Sequence, residues 1–206
     1  MHFDWQGAEA KRSIPELARL LRRPGAVAVV PTETVYGLIG RVSDPACRER
    51  IYALKHRDGA KPLGWFLASR AEPDRQGFQL SPAARSLVEN FMPGPLTVIA
   101  RRAGGGTTGF RIPGHPLLLA LLEELGEPVF QTSANRSGFP NALTCSEALA
   151  MLEGTPDASA DGGAIPPDAR ASTVVDCSGA VPVILRRGAL ELDGFLTRFA
   201  NSEVKK

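Results

Sequence analysis

The chain has 206 residues, 43% of them hydrophobic, and its 24 basic and 22 acidic residues leave a formal net charge of +2. This composition is that of a globular protein with a real core, and it excludes a disordered chain and a membrane protein. The near-neutral charge also argues against a surface that coats nucleic acid broadly, although a local basic groove is compatible with it.

The cysteines and the N-terminal residues indicate the cytoplasm. Cys47, Cys145 and Cys177 are far apart and show no C-x-x-C spacing, which predicts neither a disulfide framework nor a zinc site. The first residues, MHFDWQGAEAKRSIPEL, are charged and lack the apolar core of a signal peptide. No run reaches the roughly 18 to 20 apolar residues of a membrane span. We therefore expect a cytoplasmic protein with no membrane partner.

Helix and strand signals alternate along the chain. Ser13 with Glu16 matches a capping box, and Asp44-Pro45 and Ser81-Pro82 are typical of helix starts. Residues 31–40 are expected to form a turn and a short helical segment. The predicted helices are 13–23, 44–54, 81–92, 115–126, 146–154 and 192–199. The predicted strands are 26–30, 62–69, 96–102, 109–113, 127–134, 172–178 and 181–188.

This alternation predicts the α/β class, with a twisted mixed β-sheet flanked by helices. We find no internal repeat and no long linker, so residues 1–206 are expected to form one domain. Its motif-bearing core lies at about 13–199, and residues 200–206 are expected to be a frayed tail.

One glycine-rich string, GGGTTG at residues 104–109, matches the dinucleotide-binding pattern G-x-G-x-x-G. That pattern must open a helix whose N-terminus faces a pyrophosphate. Here Pro113 and Pro116 follow and prevent such a helix. We therefore interpret the string as a flexible connection.

Polar and basic side chains follow the first predicted strand and the second predicted helix. Thr32 and Thr34 lie in PTETVYG, where a buried strand ends, and their hydroxyls could bind a ligand or cap a helix. The loop KHRDGAKPL places Lys55, Arg57 and Lys61 within seven residues. Such cations suit a polyphosphate, or they could serve only to complement the negative end of the helix dipole.

Similar residues recur where later strands begin and end. Arg111, in an apolar strand, needs an anionic partner, which could be an internal acid or a substrate carboxylate. Ser133 and Asn135 in FQTSANRSG could hold a ligand or form an Asx-turn. Ser172 opens one strand and Arg186 closes the next. Together these residues predict a donor-rich cleft for phosphate and carboxylate groups, rather than a site for acid–base or covalent catalysis.

Seven strings in a common order resemble the YrdC/TsaC family of L-threonylcarbamoyladenylate synthases. They are PTETVYGL, KHRDGAKPL, FMPGPLTVI, FRIPGHP, TSANRSG, STVVD and LRRG, and they span residues 31–188. The resemblance implies a single YrdC-like domain with a large concave basic cleft. It also implies an ATP-dependent nucleotidyltransferase that converts L-threonine, bicarbonate and ATP into threonylcarbamoyl-AMP and pyrophosphate. The product would pass to the tRNA threonylcarbamoyl transferase complex.

The same resemblance implies residue roles in ATP binding. Lys55 and Arg57 would bind the ATP phosphates and act as the catalytic cations. Ser133 and Asn135 would hold the nucleotide near its α-phosphate and ribose, with help from Arg186. Mg²⁺ would be bound through the ATP phosphates, since the sequence offers no carboxylate cluster for a metal.

Thr32, Arg111 and Ser172 would hold the threonine moiety on the same basis. Four departures from the family pattern affect these assignments, and two of them are ASTVVD in place of the common ESTVVD and LRRG in place of the common LRPG. Asp58 stands where the family usually has proline, and the strand after Pro62 lacks a histidine that longer members often carry.

Two alternatives to the synthase remain open. The first is a YrdC-like module that binds RNA in its basic concavity without adenylation, which predicts salt-sensitive RNA affinity. Few aromatic residues accompany the basic ones, which weakens this alternative. The second is the related carbamoyltransferase domain of hydrogenase maturation, whose proteins are much longer and carry zinc-finger cysteine pairs that this sequence lacks.

Overall fold

The computed structural model describes residues 1–56, 58, 59 and 61–200. Its helices are α1 (Ile14–Leu21), α2 (Pro45–Leu54), α3 (Glu72–Arg75), α4 (Pro82–Phe91), α5 (Pro116–Leu125), α6 (Cys145–Ala150) and α7 (Asp193–Ala200). Its strands are β1 (His2–Asp4), β2 (Val27–Val30), β3 (Gly37–Arg41), β4 (Gly64–Phe66), β5 (Phe78–Gln79), β6 (Leu96–Arg102), β7 (Thr107–Arg111), β8 (Val129–Ser133), β9 (Ala158–Asp161), β10 (Thr173–Asp176) and β11 (Val183–Arg186).

Side-chain caps explain where several helices begin. The Asp44 carboxylate accepts a hydrogen bond from the N–H of Ala46 at 3.0 Å, just ahead of α2. Ser81 Oγ accepts one from Ala84 at 3.2 Å at the start of α4. Proline follows each cap at a position that needs no N–H donor. These starts lie within one residue of those that the sequence predicts.

The eleven described strands form one mixed sheet. Their order is β1-β9-β2-β3-β8-β4-β7-β6-β10-β11, and β5 pairs with β6 beside this path. The pairs β4–β7 and β6–β10 are parallel, whereas β3–β8, β4–β8, β6–β7 and β10–β11 are antiparallel. The predicted α/β class, with a large mixed sheet flanked by helices, is confirmed.

Strand β2 is covered by helices on both faces. Val27 and Val29 pack in a cluster with α2 and α6, while Ala28 and Val30 pack in a cluster with α1 and α5. Successive side chains of a strand point to opposite faces, so a strand that is buried on both sides reads as a continuous apolar run. This is why the string AVAVV predicts the strand correctly.

Strand β6 is covered differently. Leu96, Val98 and Ala100 pack in a cluster with α4 and α7, whereas Thr97 and Ile99 point to the other face and line a cavity. Directly paired residues of neighbouring strands share a face of a sheet. Gln131 pairs with both Ile39 and Gly64, so these three residues share one face, and Gly109 pairs with Ile99 farther along it. Ile39 packs in the cluster with α1 and α5. The cavity therefore lies on the face that these two helices cover farther along the sheet.

One prediction of local structure is wrong, and three short strands were not predicted. Residues 37–40, predicted as part of a turn and short helical segment, lie in strand β3, which pairs with β2 and β8. Gly40 allows this close packing, because a Cβ there would lie 2.8 Å from Cys47 Cβ. Strands β1, β5 and β9 were not predicted at all; they are short, and β9 reads ASAD, which has no β-branched residue.

The glycine-rich string contains the short connection between β6 and β7, and its predicted flexibility stays a prediction. Gly105 and Gly106 have φ values of 92° and 71°, and they join the antiparallel strands β6 and β7. Glycine adopts this left-handed conformation without the steric cost that a Cβ would bring. The prediction that the string opens no helix is confirmed, since β7 follows directly.

Among the described residues, no helix is long and apolar enough to span a membrane.

Candidate active site

A cavity of about 310 Å³ lies on the sheet face described above. Strands β4, β6, β7, β8, β10 and β11, or the residues at their ends, contribute to its lining. Its volume falls at the lower end of the range for small-molecule sites. The cavity thus gathers residues that are up to about 150 positions apart in the sequence, such as Thr34, Arg111 and Arg186.

Two glycines leave the floor of the cavity without side chains at their positions. Gly64 of β4 and Gly109 of β7 are neighbours, because the adjacent residues Trp65 and Phe110 are paired. A Cβ on Gly109 would lie 3.4 Å from Thr97 Cγ2, an ordinary contact, so the site lacks this group without any steric need. The floor is therefore open to a ligand at this position.

Arg111 is buried in the wall of the cavity, with 4% of its surface exposed. Its Nε donates to the Gly94 carbonyl at 3.1 Å, and its Nη1 donates to Thr34 Oγ1 at 3.0 Å. Its Nη2 lies 2.7 Å from Glu33 Oε1. Arg111 thus has the internal acid partner that the sequence left as one alternative, and it also faces the cavity.

Arg186 forms a second cationic part of the wall. Its Nε donates to the Ser172 carbonyl and its Nη2 to Ser172 Oγ, both at 3.0 Å. Ser172 Oγ lies 2.9 Å from Thr97 Oγ1, so three strands are linked by one chain of hydrogen bonds. Burial lowers the pKa of Arg186, and the positive charge of Arg111 lowers it further. A bound anion would relieve this repulsion between the two guanidinium groups.

Ser133 lines the cavity at the end of β8 and connects it to Asn135 and Lys55. Ser133 Oγ donates to Asn135 Oδ1, and Asn135 Nδ2 donates to the Phe139 carbonyl at 2.6 Å. Lys55 is 1% exposed, and its ammonium donates to the carbonyls of Ser133 and Asn135. This ammonium therefore ties the end of α2 to the end of β8.

Thr32 lies behind the cavity wall. Its Oγ1 accepts hydrogen bonds from the N–H groups of Thr34 and Val35, at 3.0 and 3.1 Å, and lies 2.9 Å from Thr34 Oγ1. It therefore acts as a local cap of the turn, and Thr34 is the hydroxyl that lines the cavity. Arg57 lies outside the described residues, so its predicted role stays a prediction.

Of the predicted site residues, Arg111, Ser133, Ser172 and Arg186 meet in the cavity, and Lys55 and Asn135 contact Ser133. Their binding roles remain predictions, as does the basic character of the cleft. Sequence reasoning missed Thr97 and the floor glycines. Thr97 carried a signal, because it interrupts the apolar string LTVIA with a polar side chain on one face of the strand.

Comparison with known proteins identifies relatives that match most of the chain. The Sua5/YciO/YrdC family model, described as "Telomere recombination", matches residues 20–188. A threonylcarbamoyl-AMP synthase of Bacillus subtilis is 34% identical over 187 residues, which are 86% of this chain and 54% of that protein. A threonylcarbamoyl-AMP synthase of Pyrococcus abyssi is 33% identical over 180 residues, and the match covers 53% of that protein. The chain thus spans about half the length of these two relatives.

Two solved structures resemble the fold. The structure of P. abyssi Sua5 complexed with L-threonine superposes with a TM-score of 0.88 at 28% identity, covering 98% of this chain and 61% of that one. The structure of Escherichia coli YciO superposes with a TM-score of 0.82 at 25% identity, covering 95% of this chain and 98% of that one.

Proposed function

The chain belongs to the Sua5/YciO/YrdC family, and on that basis we propose that it forms threonylcarbamoyl-AMP and pyrophosphate from L-threonine, bicarbonate and ATP. The observation that carries the proposal is the meeting of Arg111 and Arg186 in one cavity whose lining, among the described residues, contains no Asp or Glu. Such a cavity favours anionic ligands, because two guanidinium groups share it. The proposed reactants include a carboxylate, a carbamate and a triphosphate.

The proposed amino-acid site lies at Arg111, Ser172 and Thr34. The Arg111 guanidinium and the Ser172 hydroxyl are suitable donors for the oxygens of threonine, whereas the O–H of Thr34 is directed at Thr32 and its oxygen serves as an acceptor. Thr32 supports this site indirectly, since its hydroxyl contacts that of Thr34. The P. abyssi relative that was solved with L-threonine supports the choice of amino acid.

The proposed nucleotide site lies at Ser133 and Arg186, with Asn135 and Lys55 beside them. Arg186 supplies a planar donor to a phosphate. The Lys55 ammonium holds the carbonyls of Ser133 and Asn135 and so places a positive charge next to this part of the site. We assign Arg57 to the ATP phosphates on the family resemblance alone.

The proposed chemistry needs no nucleophile from the protein. The neutral amine of threonine forms a C–N bond to bicarbonate with loss of water, or to CO₂ with loss of a proton, and gives a carbamate. A carbamate oxygen then attacks the α-phosphorus of ATP while the bond to pyrophosphate breaks. The protein aligns the two reacting atoms, an effect worth about 7–11 kcal/mol in ideal cases. Arg186 stabilises the charge that builds up on the phosphate oxygens.

ATP would enter with its own Mg²⁺, as part of the substrate. Among the described residues, no group of three or more His, Cys, Asp or Glu could hold a metal ion. The oxygen ligands that Mg²⁺ prefers would therefore come from phosphate and water rather than from this chain.

The direct test is incubation of the purified protein with Mg–ATP, bicarbonate and labelled threonine. We expect diphosphate release and a labelled adenylate that both require all three reactants. A folded preparation that releases no diphosphate under these conditions would exclude the synthase. Salt-sensitive RNA binding in that preparation would then support the RNA-binding alternative. We further propose that the product serves tRNA modification in the cytoplasm, through transfer to a tRNA threonylcarbamoyl transferase complex.

A further inference from the structure

Glu33 lies between β2 and β3 and makes two contacts across the chain. Its Oε1 lies 2.7 Å from Arg111 Nη2 and accepts a hydrogen bond from the N–H of Gly114, also at 2.7 Å. A Cβ on Gly114 would lie 3.2 Å from this oxygen, so glycine leaves space for the carboxylate. Glu33 is therefore held in place from two sides, although 22% of its side chain is exposed.

The hydrogen-bond donors of Arg111 are only partly used. A guanidinium has five N–H groups. The Nε–H points to the Gly94 carbonyl, and one N–H of Nη1 points to Thr34. Nη2 is close to Glu33, but it is buried and makes no in-line hydrogen bond within the described part of the chain. Of the two terminal nitrogens, Nη1 thus keeps a second N–H group with which it can donate to a ligand carboxylate in the cavity.

Glu33 also compensates the positive charge of Arg111. Arg111 and Arg186 repel each other, and the two other contacts of Arg111 are neutral oxygens. Without the carboxylate, this repulsion would favour rotation of the Arg111 side chain away from Arg186. The ion pair therefore holds the guanidinium at one position by charge, while leaving the second N–H of Nη1 available.

We infer that Glu33 is a positioning residue for the amino-acid substrate: it fixes the Arg111 guanidinium in the cavity wall, where its remaining Nη1 N–H can donate to the substrate carboxylate. This inference rests on the proposed function, because it takes that carboxylate as the ligand of Arg111. Glu33 itself takes part in no chemical step, because its contacts are with Arg111 and the N–H of Gly114.

The test compares Glu33→Ala and Glu33→Gln with the wild-type protein. Loss of one charge-assisted contact is worth about 10-fold to 100-fold in affinity, so Glu33→Ala should raise the KM for threonine by at least about 10-fold. The KM for ATP should change little. Glu33→Gln keeps an oxygen for the Gly114 N–H and for Arg111, so its KM for threonine should lie between those of the wild type and Glu33→Ala.

A second measurement isolates the carboxylate. Equilibrium dialysis without ATP compares labelled L-threonine with L-threonine amide, which lacks the negative charge. The wild type should prefer threonine, and this preference should shrink in Glu33→Ala. The matched control is Glu127→Ala, which removes the partner of Arg41 at 3.1 Å; the two side chains of that pair are 18% and 25% exposed. This control should keep the wild-type preference.

An unchanged preference for threonine over its amide in Glu33→Ala would overturn the inference. So would equal changes in both KM values together with a lower Tm, since that pattern indicates a general structural role. If Glu33→Ala does not fold, Glu33→Gln carries the dialysis test alone, and a wild-type preference in that variant would overturn the role of charge. A wild type that binds threonine but releases no diphosphate would contradict the proposed function and not the role of Glu33.

Discussion

At the scale of single residues, Arg186 differs from the other arginine of the cavity. Arg111 has Glu33 beside it, whereas the side-chain contacts described for Arg186 are both with Ser172. Its charge is therefore the one most available to a phosphate. Neighbouring Arg187 offers an internal comparison, because it is exposed and pairs with Asp193.

We expect Arg186→Ala to reduce diphosphate release by about 10-fold or more, since a hydrogen bond to a charged group contributes about 1.5–3 kcal/mol. Arg187→Ala should behave like the wild type, because a surface ion pair contributes little. Steady-state rates at varied ATP concentration measure the effect. Equal activities of the two variants would remove Arg186 from the nucleotide site.

Lys55 is a residue whose burial changes what its removal should do. We expect Lys55→Met to lower both activity and the free energy of unfolding, because the carbonyls of Ser133 and Asn135 lose a donor. An unsatisfied buried group costs about 1–3 kcal/mol. Urea unfolding, with exposed Lys11→Met as the control, measures the stability. A Lys55→Met protein that is fully stable but inactive would show instead that the ammonium acts directly on the ligand.

At the scale of elements, the cavity floor depends on the register of β6, β7 and β4. Thr97, Gly109 and Gly64 face the same side of the sheet because paired residues share a face. The absence of a side chain at Gly109 is not required by its neighbours, since a Cβ there would make only ordinary contacts. The missing side chain at Gly109 is therefore a property of the site rather than of the packing, whereas at Gly64 a Cβ would lie 2.5 Å from Gln131 Nε2.

We expect Gly109→Ala to fold with a Tm close to that of the wild type and to lose activity. One added methyl group in a fitted pocket changes binding by about 1–3 kcal/mol, or about 10-fold and more. Gly104→Ala is the matched control, because it lies in the connection that leads to β7 and a Cβ there would meet nothing within 4 Å. Full activity of Gly109→Ala would mean that no ligand reaches the floor.

The same elements show what could be predicted from the sequence. Strand β2 was predictable because helices cover both its faces and every position is apolar. Strand β3 was not, since its glycines weaken any local signal and its stability comes from pairing with β2 and β8. In the site, Ser133 and Arg186 were predictable as polar residues at strand ends. The inward turn of Lys55 and the partnership of Glu33 with Arg111 depend on contacts between distant segments, which no local pattern encodes.

At the scale of the whole molecule, one face of a single sheet serves two purposes. Helices α1 and α5 cover it over β2, where it forms part of the core. Over β4, β6, β7 and β10 the same face lines the cavity. The E. coli YciO structure, which this chain covers to 98%, has the same fold at a similar length. The longer relatives match this chain over about half their length.

The outermost position of β11 has a consequence for how ligands and the sheet affect each other. This strand carries Arg186, yet it pairs only with β10 among the described strands, and that pairing is irregular between Val174 and Val175. Val183 and Leu185 are 53% and 58% exposed, so little apolar burial supports it. Edge segments of this kind open locally at low free energy, without global unfolding.

Amide hydrogen exchange should therefore be fast in residues 183–186 of the free protein and slow down when Mg–ATP and threonine are added together. The amides of β2 should exchange slowly in both states and serve as the reference. If the exchange rates in β11 are the same with and without the ligands, Arg186 does not hold them. If the protection is seen, substrate binding orders the edge strand that supplies part of the binding site, and part of the binding energy is used in that ordering.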